Sequence, residues 1–275
     1  MGTIYRSAEL GDEPKGPNAD LAFVDYYSAA SLSGKTLQRF FEVQRKILAL
    51  RTRLGLATSA LKVADIGCGA GTQAINWAAA GHEVCAIDIS QPLVKLGQQR
   101  AAEAGVLVSF SVGSASELPY PDASFDIVLL PELLEHVPEW QPCLKEAARV
   151  LRPGGMLYIS TTNVLCPRQN EFSLPLYSWY PRWLKKQCER MAVTTHKHWV
   201  EHASFPAVHW FSFYQLRAFL ADRGIDCLDR FDLVEVDSSP LKRGVIAAIR
   251  NVPTLRFIAH VATPSTVVLG IKPAI

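Results

Sequence analysis

Two periods of apolar residues alternate along this chain. Leu37, Phe40, Phe41, Val43, Ile47, Leu48 and Leu50 recur at helical spacing, with Arg39, Glu42, Arg45 and Lys46 on the opposite side. From residue 61 the apolar residues fall instead into short runs, at 61–66, 83–89, 107–112, 125–130 and 156–161, each compact enough to be a buried strand. The segments between them have helical period. Strand alternating with helix predicts a parallel sheet covered by helices on both faces. Gly81 and Gly105 stand where two of the helices should stop, and Pro153-Gly154-Gly155 makes a tight turn into the fifth strand.

After Thr162 the alternation lapses for about fifty residues, more than a plain connection inside a compact domain. This stretch reads as an insertion, aromatic, basic and rich in histidine. Beyond it, 213–223 predicts a helix capped by Ser212 and ended by Gly224, 225–234 a strand, and 266–271 a final strand. The expected organisation is a lead-in and helical cover over 1–58, a core over 59–162, a lid or acceptor region over 163–211, and the remainder of the sheet over 212–275. A basic, apolar insertion interrupts the last part at 238–263. The first twenty residues have no hydrophobic period and predict a mobile lead-in.

Composition narrows the classes. A chain of 275 residues with 49% hydrophobic and 20% charged residues has material for a sizeable core. A net charge of +2, from 28 basic and 26 acidic side chains, gives no reason to expect a nucleic-acid partner. The six cysteines are spread singly and suggest neither a disulfide framework nor a zinc site, which suits a reducing cytoplasm. No secretory signal and no membrane span is expected.

The chemistry begins at Val63-Ala64-Asp65-Ile66-Gly67-Cys68-Gly69-Ala70-Gly71-Thr72, where glycines occupy alternate positions between a strand and a helix. Glycine there permits positive φ and lets a ligand approach the backbone. Asp88 follows at the end of the second strand, 21 residues after Gly67, where an acidic side chain can accept hydrogen bonds from ribose hydroxyls. A dinucleotide fingerprint would read G-x-G-x-x-G. Here the spacing is G-x-G-x-G and Thr72 takes the third small position, which disfavours a pyrophosphate. A nicotinamide-dependent oxidoreductase is the alternative reading of this loop.

Four blocks, VADIGCGAG (63–71), CAIDIS (85–90), FDIVLLPELLEHV (125–137) and VLRPGGMLYIST (150–161), together resemble the class I S-adenosylmethionine-dependent methyltransferases. Within them the chain is similar to the ubiquinone-biosynthesis O-methyltransferase-like group, over about residues 60–162. The resemblance implies a Rossmann-like, doubly wound, mostly parallel seven-stranded sheet with an N-terminal helical cover and an inserted lid. It implies S-adenosyl-L-methionine as cofactor, S-adenosyl-L-homocysteine as product, no metal, and a small-molecule acceptor. It places Asp65 and the backbone of Gly67, Cys68, Gly69 and Gly71 at the methionine part, Asp88 at the ribose and Ile89 against the adenine. Ser114 and Ala115 would lie at the adenine amino group, where an aspartate is usual, and the Pro131 carbonyl near the sulfonium.

The acceptor is less determined. O-methylation of a phenolic, quinone-precursor, sugar or secondary-metabolite hydroxyl is expected, with N- or C-methylation on the same fold as the alternative. His136, just after the fourth strand, is the candidate base for a hydroxyl proton, or else a residue that fixes the start of the next helix. Tyr27, His198, His202, His209 and Trp210 are candidate acceptor-pocket residues, with Tyr177, Trp179 and Trp183 nearby; aromatic packing of the lid explains several of them equally well. His198 and His202 share a helix face, yet sulfonium displacement requires no metal. Lys242, Arg243, Arg250 and Arg256 interleave with apolar residues in 238–263, where no carboxylate follows Asp237, a pattern suited to peripheral contact with anionic lipid or to a helix packed on the sheet.

Overall fold

The computed structural model describes residues 29, 31–169, 172–196, 199, 207–235 and 239–274. An amphipathic helix comes first, α1 (Gly34–Arg53), which buries Val43, Ile47 and Leu50 on one side and is capped by Ser33 Oγ accepting from the Thr36 amide. The core then alternates β1 (Lys62–Ile66), α2 (Thr72–Ala79), β2 (Glu83–Asp88), α3 (Gln91–Glu103), β3 (Ser109–Val112), β4 (Phe125–Pro131), α4 (Trp140–Val150) and β5 (Leu151–Thr162). It closes with α5 (Arg182–Thr194), α6 (Phe213–Ala221), β6 (Asp226–Asp229), α7 (Pro240–Asn251), α8 (Pro253–Val261) and β7 (Ser265–Ile271).

The seven strands form one sheet in the order β3-β2-β1-β4-β5-β7-β6. Every pairing from β3 to β5 is parallel, and β7 runs antiparallel to both β5 and β6. Alternation along a strand sends neighbours to opposite faces. Thus Val128 and Leu130 of β4 pack with α4 and α6, whereas Ile127 and Leu129 pack with α1 and α2. In β1, Ala64 and Ile66 belong to the first face and Val63 to the second. Asp65 has the parity of Val63, so its carboxyl is directed toward α1 and α2.

The expected strands all form, with three differences in extent. β3 starts at Ser109 rather than 107, where Leu107 is almost fully exposed. β5 begins five residues earlier than expected, because Leu151 pairs with Phe125 ahead of an irregularity beside Gly154 and Gly155. β6 stops at Asp229 instead of 234, because the Asp229 carboxylate accepts from the amides of Phe231 and Asp232 and turns the chain. The predicted helix at 213–223 is α6, with Ser212 Oγ accepting from the Gln215 amide and Gly224 at φ +69° beyond its end.

Residues 163–211 leave the sheet and return to the same place. Asn163 bridges Phe211, and its side chain donates to the carbonyls of His260 and Thr263, tying the root of the lid to the end of α8. Within the lid, Phe172, Tyr177, Cys188 and Ala192 form a small core of their own.

Candidate functional site

The loop from β1 to α2 carries the conformation that its glycines predict: Gly67, Gly69 and Gly71 have φ of +73°, +51° and +75°. Their environments differ. A Cβ on Gly71 would lie 2.7 Å from the Phe110 ring and 3.3 Å from the Gly97 Cα, so this glycine lets α2 and α3 pack closely. A Cβ on Gly67 would meet Leu133 at 2.7 Å, but one on Gly69 would meet nothing within 4 Å. Only the middle glycine presents its bare face to open space.

Beside Gly69, a cavity of about 220 Å³ is bordered by Asp65, Gln73, Pro131 and His136, and by Arg39 and Phe40 of α1. Three of its polar residues, Asp65, Thr72 and Gln73, hold unsatisfied atoms. Ten buried side-chain polar atoms among the described residues lack a hydrogen-bond partner, and five of them belong to Asp65, Thr72 and Gln73. Buried groups are ordinarily paired, and each exception costs about 1–3 kcal/mol, so a cluster of them in one cavity marks a place for a ligand. Asp65 is the extreme case, with zero exposure and both oxygens unpartnered. Its pKa is pushed up to about 7, first by burial and then by the Asp88 carboxylate; the Ala74 amide opposes them, though its geometry falls short of a hydrogen bond. Asp65 does not cap α2, whose N-cap is Gly71 without a side-chain bond.

Asp88 ends β2 and binds the loop itself. Its Oδ2 accepts from the Gly69 amide and its Oδ1 from the Ser90 amide, both at 2.8 Å. Burial raises its pKa, while the amides of Ser90, Gly69 and Ile89 act in the other direction. A carboxylate has about four acceptor positions, so two remain for hydroxyls from outside. Next to it the Ile89 side chain is 79% exposed, an apolar surface with nothing packed on it. Ser114 is engaged locally, its Oγ 2.8 Å from Ser116 Oγ and accepting from the Ser116 amide, and Ala115 packs on the core. Cys68 is buried, and burial pushes its thiol pKa well up, which leaves it a small apolar wall.

Glu132 follows Pro131 with a left-handed backbone, φ +52°, a conformation costly for a side-chain-bearing residue. Its amide donates to the Ser160 carbonyl, its Oε1 accepts from Ser160 Oγ at 2.7 Å, and Arg39 lies 3.5 Å away. Sequence reasoning did not assign Glu132, Gln73 or Arg39 to the site, and it used Thr72 only against a pyrophosphate. Positive φ at a glutamate has no sequence signal, and polar residues at a helix start look ordinary.

Of the residues named as acceptor-pocket candidates, His209 and Trp210 are among the described residues. His209 Nε2 hydrogen-bonds to the Pro138 carbonyl at 2.9 Å, so it ties the lid's return to the approach of α4 and does not border the cavity. Trp210 packs edge-on to the buried Tyr177, with Lys185 Nζ 4.8 Å over its ring. Burial holds the Lys185 pKa down to about 8. Both belong to the packing of the lid. Trp179 and Trp183 face solvent. Tyr27, His198 and His202 lie outside the described residues. Among the described residues no group of three or more His, Cys, Asp or Glu side chains is arranged to hold a metal ion.

Residues 64–159 match a family model described as a methyltransferase domain. That segment is a methyltransferase domain. The family match thus bears out the resemblance carried by the four blocks, and it covers the glycine loop and all but the last three residues of β5. A ubiquinone biosynthesis O-methyltransferase of Xanthomonas euvesicatoria pv. vesicatoria (strain 85-10) is 41% identical over 113 residues, 41% of this chain and 46% of that protein. A 27-O-demethylrifamycin SV methyltransferase of Amycolatopsis mediterranei (strain S699) is 48% identical over 99 residues, 35% of this chain and 36% of that protein. The matches therefore span less than half the length of these relatives. Among solved structures, magnesium protoporphyrin IX methyltransferase from Synechocystis PCC 6803, with bound SAH, superposes with a TM-score of 0.53 at 17% identity, over 90% of this chain and 93% of that one. This likeness extends the methyltransferase fold beyond the matched domain, to the β6 and β7 side of the sheet.

Proposed function

We propose that this protein transfers a methyl group from S-adenosyl-L-methionine to a hydroxyl of a small molecule, leaving S-adenosyl-L-homocysteine. The observation that carries the reading is the set of unsatisfied buried atoms of Asp65, Thr72 and Gln73 around an open glycine, next to Asp88 and the bare Ile89. That set fits the cofactor. Asp65 would hold its ammonium group, the open face of Gly69 would admit its chain to the backbone, Asp88 would accept from the ribose hydroxyls, and Ile89 would cover one face of the adenine. When bound, the cofactor supplies a methyl group on a cationic sulfur, which becomes a neutral thioether once an acceptor oxygen has taken the methyl. The chain's own work is then alignment and exclusion of water. α1 closes the cavity from above through Arg39 and Phe40, and the Pro131 backbone and His136 border the side from which an acceptor approaches. His136 would take the hydroxyl proton. The two relatives, named for O-methylation on ubiquinone and rifamycin scaffolds, support oxygen as the acceptor atom. A labelled-cofactor assay against phenols, sugars and amines tests this; labelling of amines alone would overturn the assignment to oxygen.

The six unpaired cysteines support a cytoplasmic setting. No helix among the described residues is long and apolar enough to cross a membrane. Contact with an anionic lipid surface is supported by α7, α8 and the residue between them, where Leu241, Val245, Val252, Leu255 and Ile258 are exposed and Lys242 follows Leu241. Arg250 and Arg256 are engaged elsewhere, on carbonyls of Phe231 and Val234 and on the carboxylates of Asp229 and Asp232. Co-sedimentation with anionic vesicles that is lost on Leu241→Glu would support the contact, and absence of binding by the unaltered chain would remove it.

A further inference from the structure

A second cavity, of about 380 Å³, adjoins the first. It is walled by α1, β5, β7 and the turn after β6, and Arg39 and Glu132 border both cavities. The two cavities meet at the Arg39–Glu132 ion pair.

Arg230, immediately after β6, lines this second cavity. One terminal guanidinium nitrogen donates to Ser265 Oγ at 2.8 Å, whereas Nε is buried and has no partner among the described residues. A guanidinium stays charged in proteins, so a dry and unpaired N–H of this kind calls for an acceptor. The nearby carboxylates are committed elsewhere. Asp229 is held by Arg256 and His260, and Glu132 accepts from Ser160 beside Arg39. The cavity lining carries Arg39, Lys46 and Arg230 with Glu42 and Glu132, and the Asp229 and Glu132 carboxylates act on Arg230 without bonding its Nε. A planar carboxylate matches the guanidinium in charge and in hydrogen-bond geometry. Tyr158 adds a neutral hydroxyl, since burial pushes its pKa up to about 12.

We propose that the second cavity receives the methyl acceptor and that Arg230 binds a carboxylate on it, so that the substrates are hydroxylated carboxylic acids. The hydroxyl end then points past Glu132 toward His136, and the acid end toward Arg230. This rests on the methyl-transfer reading for what happens to the bound molecule, but the binding itself is measurable without it.

The test is calorimetric titration of the full chain with 3,4-dihydroxybenzoate and with its uncharged methyl ester, with and without saturating S-adenosylhomocysteine. The acid is expected to bind at least tenfold more tightly than the ester. Arg230→Gln should bring the acid to the ester's affinity, Arg230→Lys should retain part of the preference, and neither should alter S-adenosylhomocysteine binding. Should Arg230→Gln fail to fold, the unaltered chain and Arg230→Lys decide. Equal affinity for acid and ester, no binding of either, or a preference that survives Arg230→Gln overturns the proposal. Failure to bind S-adenosylhomocysteine would instead count against the methyl-transfer reading, and the acid-to-ester ratio measured in its absence would still stand.

Discussion

Asp65 and Asp229 are both completely withdrawn from water, and each sits at or next to the C-terminal end of a strand. The protein surrounds them in opposite ways. Asp229 receives Arg256, the imidazole of His260 at 2.8 Å and the amides of Phe231 and Asp232. Burial alone would raise its pKa, but these partners outweigh burial and hold it well below the usual carboxylate range. Asp65 receives no hydrogen bond, and burial with Asp88 pushes it up to about 7. A buried acid that the fold satisfies is part of the framework; one that it leaves unsatisfied, beside a cavity, is reserved for something brought from outside.

The largest effect separating the two is on stability. Asp229→Ala strips the partners from Arg256 and His260 inside the protein and should cost about 3–5 kcal/mol, read as a fall of the unfolding midpoint in denaturant. Asp65→Asn should do the reverse, holding or raising stability by roughly 1–3 kcal/mol while lowering cofactor affinity at least about a hundredfold. Loss of stability in Asp65→Asn comparable to that of Asp229→Ala would collapse the distinction.

The pH dependence has opposite signs at the two sites. Between about 4 and 7 the folded protein keeps a proton on Asp65 that the unfolded chain has released, so this group's contribution to stability declines as pH rises through that window. The depressed Asp229 contributes stability above its ordinary value of 3.8, and that stability is lost as pH falls toward its folded value. Unfolding midpoints of unaltered, Asp65→Asn and Asp229→Ala chains at pH 2, 3, 4, 6 and 8 would show the two slopes, that of Asp229 below pH 4 and that of Asp65 above it.

The glycines sharpen the contrast further. Gly71→Ala should cost about 2–3 kcal/mol, from strain at positive φ and contact with Phe110 and Gly97, with cofactor affinity changed only through folding. Gly69→Ala meets no protein atom, so its stability cost should stay near 1–2 kcal/mol while affinity falls about tenfold or more. Smallest of all is Ile89→Ala. Its side chain is largely exposed, so stability should hold within about 0.5 kcal/mol and affinity should drop by about three- to tenfold.

The two regions also differ in how far the sequence discloses them. Gly69, Asp65 and Asp88 lie in short blocks at the ends of two adjacent strands, and the chemistry of those residue types at those places indicates a ligand. The second cavity is assembled from α1, the residue after β4, strands β5 and β7 and the turn after β6, so Arg39, Glu132, Tyr158 and Arg230 carry no local pattern. Spacing alone could not show that His209 has the Pro138 carbonyl within reach or that Trp210 packs on the small core of residues 163–211, although packing was one reading of the aromatics there. Local periodicity also could not show that β6 ends at Asp229, because the turn there depends on a buried carboxylate that α8 supports.

The central claim is that Asp65 is left unsatisfied for a cationic cofactor group, and titration calorimetry of S-adenosyl-L-methionine from pH 5.5 to 8.5 tests it most directly. The account predicts an affinity that levels off above about pH 7 and weakens toward tenfold per unit below it, with Asp65→Asn weak at every pH and no less stable than the unaltered chain. Binding by Asp65→Asn at unaltered affinity, or a flat profile across that range, would contradict it.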